Sequence, residues 1–141
     1  MSLNHVFSVA GSGMNAQSLR LNTTASNLAN ADAAASSIDE TYRARHPVFA
    51  AIKDNLSLDN KHDDAAAGVS VLGIVESDAP LQPRYEPNHP LANEEGYVYY
   101  PNVNVVEEMT NMISASRSFQ VNVEVMNSAK QMMQRVLTLG Q

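Results

Sequence analysis

Apolar residues recur at seven-residue intervals near both ends of the chain, whereas the middle alternates over short stretches. Because a seven-residue repeat places side chains on one face of a helix, each end predicts a coiled-coil seam. The N-terminal seam consists of Leu3, Phe7, Met14, Leu21 and Leu28. Gly11 and Gly13 lie within this segment and lower its helix propensity. We therefore expect the first helix to depend on packing for its order.

A second helical pattern fills the C-terminal end. Its seam consists of Val105, Met109, Met112, Phe119, Val123, Met126, Met133 and Leu137. Asn104 followed by Glu107 forms a capping-box pattern that marks the start of this helix. A helix from Val105 to Leu139 would be roughly 50 Å long at 1.5 Å per residue, which predicts an elongated pair of helices.

The apolar face of the C-terminal helix is wider than one partner helix can cover. Flanking residues that widen it are Val106, Ile113, Val125, Met132 and Val136. Two interpretations follow from the pattern. The helices form an antiparallel hairpin in an ordinary small helical protein, or they pair and then pack laterally against other subunits. The wide face favours the second, because a single partner would leave much of it exposed.

The middle of the chain predicts a small, irregular β-like insert. Strand-like alternation occurs in "YRARHPVFAAI" from Tyr42, "GVSVLGIVES" from Gly68 and "GYVYY" from Gly96. The intervening segments are rich in Pro, Asn, Asp and Gly, which indicates turns. The predicted fold is therefore mainly α with a small β insert. Residues 1–35 form the N-terminal helical segment, 36–104 the insert and crossover, and 105–141 the C-terminal helix that pairs with the first.

Composition excludes several classes of protein. The 141 residues carry a net charge of −6 with scattered Lys and Arg, which argues against nucleic-acid binding. The absence of Cys excludes disulfides, thiolate metal sites and thiol nucleophiles. No apolar run approaches the roughly 20 residues of a membrane span, and the N-terminus lacks the pattern of a cleaved signal peptide.

Three clusters of residues are candidates for chemistry. His62, Asp63 and Asp64 are adjacent in a polar loop, so their side chains diverge and do not predict a metal site. The stretch "AGSG" at 10–13 lacks the Lys and Ser or Thr of a phosphate loop. Glu94 and Glu95 offer too few carboxylates for calcium. We therefore expect no catalytic, cofactor or metal residues, no small-molecule substrate and no enzymatic activity.

Two terminal motifs resemble those of a known family. The stretch "TTASNLANADAAAS" from Thr23 and the stretch "ISASRSFQVNVEVMNSAKQMMQRVLTLGQ" from Ile113 are similar to the terminal signatures of bacterial flagellar axial proteins. The family motif is carried here by Ser26, Asn27, Leu28, Ala29 and Asn30. The segment from Tyr85, the short middle region and the terminal "TLGQ" resemble a proximal rod protein in particular.

The resemblance implies a structural subunit of the flagellar basal-body rod. Such a subunit polymerises into a hollow drive shaft that transmits torque and passes exported subunits. Its implied partners are other rod proteins, copies of itself, the membrane-embedded motor base and the flagellar type III export apparatus. The implied location is the periplasm-spanning rod, reached without a cleaved signal peptide. The resemblance also implies that "GYVYYPNVN" is the corner between the inner helices and the outer insert.

Other interpretations remain open at this stage. The chain could be a soluble helical binding module, such as an export adaptor, or another axial component of rod or hook. A small hydrolase or metal protein is a third class, which no residue pattern supports. Self-association into tubes distinguishes the rod subunit from the binding module, and turnover or stoichiometric metal would support the third class.

Overall fold

The computed structural model describes residues 3–53 and 66–139. Its element order is α1 (Leu3–Ala29), β1 (Arg45–Lys53), β2 (Ala66–Glu76), β3 (Gln82–Tyr85), β4 (Tyr97–Tyr100) and α2 (Val105–Leu139). This arrangement confirms the predicted fold class of two terminal helices around a small β insert. None of the helices in these ranges is long and apolar enough to cross a membrane.

The helix α1 ends at Ala29 in a tightened turn. The Asn30 amide nitrogen lies 3.2 Å from both the Ser26 and the Asn27 carbonyl oxygens, and the Ala31 amide donates to Leu28. An amide shared between the carbonyls three and four residues earlier, followed by a 3₁₀-type bond, is a common way for an α-helix to end. The Asn30 side chain also donates to the Ser26 carbonyl at 2.8 Å, which satisfies a terminal carbonyl group.

The helix α2 begins after an asparagine cap. The Asn104 side-chain oxygen accepts hydrogen bonds from the amides of Val106 at 3.1 Å and Glu107 at 3.4 Å. Glu107 and Glu108 place two acidic residues in the first turn, where the helix dipole favours negative charge. The first turn is therefore stabilised by local sequence.

The four strands form two separate two-stranded sheets, β1 with β2 and β3 with β4. The antiparallel register of the second sheet pairs Gln82 with Tyr100 and Tyr85 with Tyr97. Tyr99 of β4 also exchanges two backbone hydrogen bonds with Ala35, which lies outside the named strands. The strand β3, within a segment where the sequence indicated only turns, carries Pro83 on its outer edge. Proline is tolerated there because that position makes no ladder bond to β4.

The chain divides into two compact units, each containing parts of both helices and of the insert. Unit 1 comprises Met1–Leu19, Val48–Gly73 and Ser114–Gln141, and unit 2 comprises Arg20–Pro47 and Ile74–Ile113. In unit 2, Arg20 contacts Asn111 whereas Asn27, two turns later on α1, contacts Glu108, an earlier residue of α2. The helix segments of unit 2 are therefore antiparallel.

The buried apolar residues are small. In the described part of the chain they are Ala10, Ala16, Ala44, Val98, Val103, Ala115 and Ala129. Small side chains let helix backbones approach closely, and in unit 1 a Cβ added to Gly13 would lie only 3.0 Å from the Asn122 side-chain nitrogen. The core thus relies on close approach rather than on large apolar side chains.

Candidate assembly surface and buried polar clamp

The predicted N-terminal seam lies at the margin of the buried face of α1. Phe7, Met14, Leu21 and Leu28 are all half-buried. The side chain of Leu3 lies outside the described residues. The buried positions of this helix are instead small or polar: Ala10, Ala16, Thr23, Thr24 and Asn27. The role of the apolar seam in assembly stays a prediction.

The predicted C-terminal seam divides into two groups. The half-buried members are Met112, Phe119, Val123, Met126 and Met133. The exposed members are Val105, Met109 and Leu137. The most buried residues of α2, which the sequence interpretation left out of the seam, are Glu108, Ala115 and Ala129. These three residues are also spaced seven and fourteen positions apart. Small and charged residues, however, contribute nothing to a pattern read from large apolar side chains.

Large apolar side chains remain exposed on α2. In unit 2, Val106 is 73% and Ile113 is 68% exposed, with Met109 at 53%. In unit 1, the exposed residues on this helix include Val121, Val125, Met132 and Val136. The five residues that widen the predicted apolar face therefore all stay accessible in the isolated subunit. Several large apolar side chains exposed on one helix within a unit are a feature of interaction sites.

Two of the family-motif residues, Ser26 and Asn27, belong to one buried hydrogen-bond cluster. Asn27 is fully buried, and its side chain bonds to the backbone of Arg45, to the Tyr42 hydroxyl and to the Glu108 carboxylate. The Ser26 hydroxyl lies 3.3 Å from the Tyr42 hydroxyl. Leu28 is half-buried and Ala29 is exposed. The motif therefore brings the end of α1, residues 42–45 and the first turn of α2 together within unit 2.

A polar groove of about 560 Å³ opens beside this cluster in unit 2. Its walls come from residues 30–45 and Glu76, and they carry both signs of charge. Arg45 is engaged there, since it pairs with Glu76 at 3.1 Å and lies over the Tyr42 ring. Within the described ranges, no three His, Asp or Glu residues are grouped to hold a metal ion. The His62, Asp63 and Asp64 cluster lies outside those ranges.

Known proteins resemble this chain along its whole length. Residues 7–34 match the family described as "Flagella basal body rod protein", and residues 94–139 match "Flagellar basal body rod FlgEFG protein C-terminal". The flagellar basal-body rod protein FlgC of Salmonella typhimurium is 49% identical over 141 residues, covering 100% of both chains. The FlgC proteins of Yersinia enterocolitica and Borreliella burgdorferi are 45% and 35% identical, again over 100% of this chain and 100% and 99% of theirs.

Proposed function

The chain belongs to the FlgC family of flagellar basal-body rod proteins, and from this premise we propose that it polymerises through the exposed apolar face of α2. It is a structural subunit of the rod and not an enzyme, and its place is the flagellar basal body. Membership in a rod family also implies assembly with other rod components.

Exposure of Val106 and Ile113 is the observation that supports lateral packing. Both are more than two-thirds exposed, although they lie on a long, regular helix. Burying a side chain of this size contributes about 1.5 to 3 kcal/mol, so a few such residues per contact offset much of the cost of association. Contacts that repeat head to tail without closing build helical tubes, which is the geometry of a drive shaft.

The test places a charge on this face without disturbing the subunit. Ile113→Asp should leave the fold intact, because the side chain is 68% exposed, but should abolish rod assembly by leaving a charge unpaired in a dry contact. Asn22→Asp, at an exposed polar position of α1 in the same unit, is the matched control. Purified variants are compared by circular dichroism, and a deletion strain carrying each variant is scored for swimming. Normal swimming with Ile113→Asp contradicts the proposal.

We also propose that the half-buried seam residues contribute to cohesion between subunits. Phe119→Asp and Met126→Asp should abolish assembly, with some loss of subunit stability because both residues are half-buried in α2. Electron microscopy of basal bodies should find the membrane ring without rod, hook or filament. Complete flagella with either variant would remove these residues from the contact.

The remaining elements of the proposal rest on family membership. The subunit is exported by the flagellar type III apparatus, joins the proximal rod next to the membrane-embedded motor base, and transmits torque by packing. In a strain that lacks only this gene, the membrane ring should persist while rod, hook and filament are missing. A plasmid-borne copy should restore them, and complete flagella in the deletion strain would refute the rod assignment.

A further inference from the structure

At Ala44 and Arg45, where β1 begins, three of the four backbone hydrogen bonds are made to side chains and one to backbone. The Ala44 amide donates to the Asn102 side-chain oxygen at 2.8 Å. The Arg45 amide donates to the Asn27 side-chain oxygen at 2.9 Å, and the Arg45 carbonyl accepts from the Asn27 side-chain nitrogen at 2.8 Å. The Ala44 carbonyl accepts from the Ser77 amide at 2.8 Å. All four backbone groups of the dipeptide are therefore satisfied.

The Asn27 amide uses its whole hydrogen-bonding capacity at this point. Besides its two bonds to Arg45, its oxygen accepts from the Tyr42 hydroxyl at 2.9 Å and its nitrogen donates to the Glu108 carboxylate at 3.0 Å. A primary amide offers two donors and two lone pairs, and all four are occupied. Aspartate would lack both donors and glutamine would be one methylene longer, so asparagine alone matches this set of partners.

Asn102 completes the arrangement from the other side of the dipeptide. Its nitrogen donates to the carbonyls of Ala79 at 2.8 Å and Ser77 at 3.3 Å, while its oxygen holds the Ala44 amide. Asn27 thus bonds both backbone groups of Arg45, as one residue of a hydrogen-bonded antiparallel pair does, while Asn102 bonds the amide of the preceding residue. All of these atoms belong to unit 2.

We propose that Asn27 and Asn102 form an amide clamp, a side-chain substitute for a paired strand that fixes Ala44 and Arg45, at the start of β1, against the helix segments of unit 2. The clamp explains the chemistry of Asn27 within the family motif: the position requires donors and acceptors together rather than polarity alone. Its consequence for the rod, that a fixed start of β1 is needed for assembly, rests on the proposed function. The clamp itself does not.

Asn27→Asp tests the requirement for donors. This change keeps the oxygen that accepts from Arg45 but removes both donors and places a second carboxylate against Glu108. We expect the amide-exchange protection of Ala44 and Arg45, measured by NMR on the full-length purified chain at neutral pH, to fall on the order of tenfold or more. Asn22→Asp, at an exposed position of α1, is the matched control and should leave protection unchanged.

The pH profile separates chemistry from packing. Two facing carboxylates favour sharing one proton, so the folded variant takes up protons more readily than the unfolded chain. The loss of amide-exchange protection in Asn27→Asp should therefore grow as the pH rises from about 4 to 7 and shrink as the pH falls. The other charged or titratable groups at the clamp are the Tyr42 hydroxyl, the Arg45 guanidinium, which pairs with Glu76, and the Arg43 guanidinium, which donates to the Ser77 carbonyl. All of them are common to the parent chain and the variant.

Adding Glu108→Gln to Asn27→Asp re-forms the bond between the two side chains with donor and acceptor exchanged. We expect this double variant to recover part of the lost protection and to show a weaker pH dependence than Asn27→Asp, because one carboxylate of the facing pair is gone. If Asn27→Asp does not fold, recovery of a folded NMR spectrum in the double variant is the expected result. Unchanged protection in Asn27→Asp, or a double variant no better than the single one, overturns the clamp.

Swimming of a deletion strain complemented with Asn27→Asp tests the consequence for the rod. Loss of protection together with loss of swimming is the expected outcome. Loss of protection with normal swimming refutes the link between the fixed start of β1 and assembly while the clamp stands. Failure of the proposed function would appear differently, as normal swimming of Ile113→Asp.

Discussion

The two units of this chain solve the same packing problem with different residues. In the described part of unit 1 the buried apolar side chains are all alanine: Ala10, Ala16, Ala115 and Ala129. In unit 2 the buried set includes Thr23, Thr24, Asn27, Thr41 and Glu108 beside the apolar Ala44, Val98 and Val103. In both units a polar side chain of α1 bonds to the backbone of a strand, since Ser12 accepts from the Val69 amide at 3.1 Å as Asn27 does from Arg45.

The difference shows that size governs one unit and hydrogen-bond chemistry governs the other. Unit 1 depends on the absence of side-chain bulk, as the 3.0 Å approach of Asn122 to a Cβ built on Gly13 indicates. Unit 2 depends on directional bonds to the side-chain amides of Asn27 and Asn102, and each buried polar group left unsatisfied there costs about 1 to 3 kcal/mol. Substitutions that change volume should therefore damage unit 1, and substitutions that change donors should damage unit 2.

Gly68→Ala should have the largest effect on unit 1. Gly68 has a φ of +150°, and an added Cβ would lie 2.6 Å from the Ser12 hydroxyl oxygen that holds Val69. Strain and collision together should lower the free energy of unfolding by roughly 3 kcal/mol, measured by denaturant unfolding of the purified chain. Gly73→Ala in the same strand meets nothing within 4 Å and is the control. Equal stability of the two variants would refute the size limit.

Ala115→Leu should be the next most damaging change. Ala115 is 0% exposed, so a larger side chain must displace its neighbours at a cost of about 2 kcal/mol. Ala29→Leu makes the same change at an exposed position of α1 and should be close to neutral. Thermal unfolding of both variants is the measurement. A loss for Ala115→Leu no larger than for the control would show that unit 1 has room to expand.

Asn102→Ala tests the dependence of unit 2 on chemistry. The change leaves the Ala44 amide and the Ala79 carbonyl without their side-chain partner, which should cost about 1.5 kcal/mol. Asn102→Asp keeps the acceptor for Ala44 but loses the donors, so its stability should fall between those of Asn102→Ala and the parent chain. The two variants are compared by denaturant unfolding. If neither variant lost stability, unit 2 would not depend on the hydrogen bonds of Asn102.

The two glycines of α1 should respond in opposite ways. Gly11 has nothing within 4 Å of an added Cβ, so Gly11→Ala should stabilise the purified subunit by about 1 kcal/mol through helix propensity. Gly13→Ala should lose that gain against Asn122, and adding Asn122→Ala should restore it. Melting temperatures of the three variants provide the test. Equal gains for Gly11→Ala and Gly13→Ala would mean that the helices do not limit each other there.

Glu76→Gln should have the smallest effect, although it lies in the polar unit. The Arg45 and Glu76 side chains are 48% and 55% exposed, so solvent screens their pair. The loss should not exceed about 0.5 kcal/mol and should vanish at high salt. Unfolding at low and high ionic strength measures it. A larger, salt-independent loss would place this surface pair among the bonds that hold unit 2.

Sequence periodicity predicted the helices well and the contacts between them less well. The start of α2 at Val105 follows from Asn104 and the acidic first turn, which are local signals. The strand β3 was missed because Pro83 and its polar neighbours indicate turns. Hydrophobic periodicity also did not predict the burial of Asn27 and Glu108, because a polar residue is recognised as buried only when its partners are known.

The two terminal helices around a β insert, the apolar width of α2, the lack of thiol chemistry and the family all follow from the amino-acid sequence, since each rests on local propensity, composition or motif. The contacts between distant segments are decided only by the tertiary structure. Asn27 meets Arg45 and Glu108 across 18 and 81 residues of sequence. Such bonds depend on where distant segments come together, and no periodicity along the chain encodes the direction of a hydrogen bond.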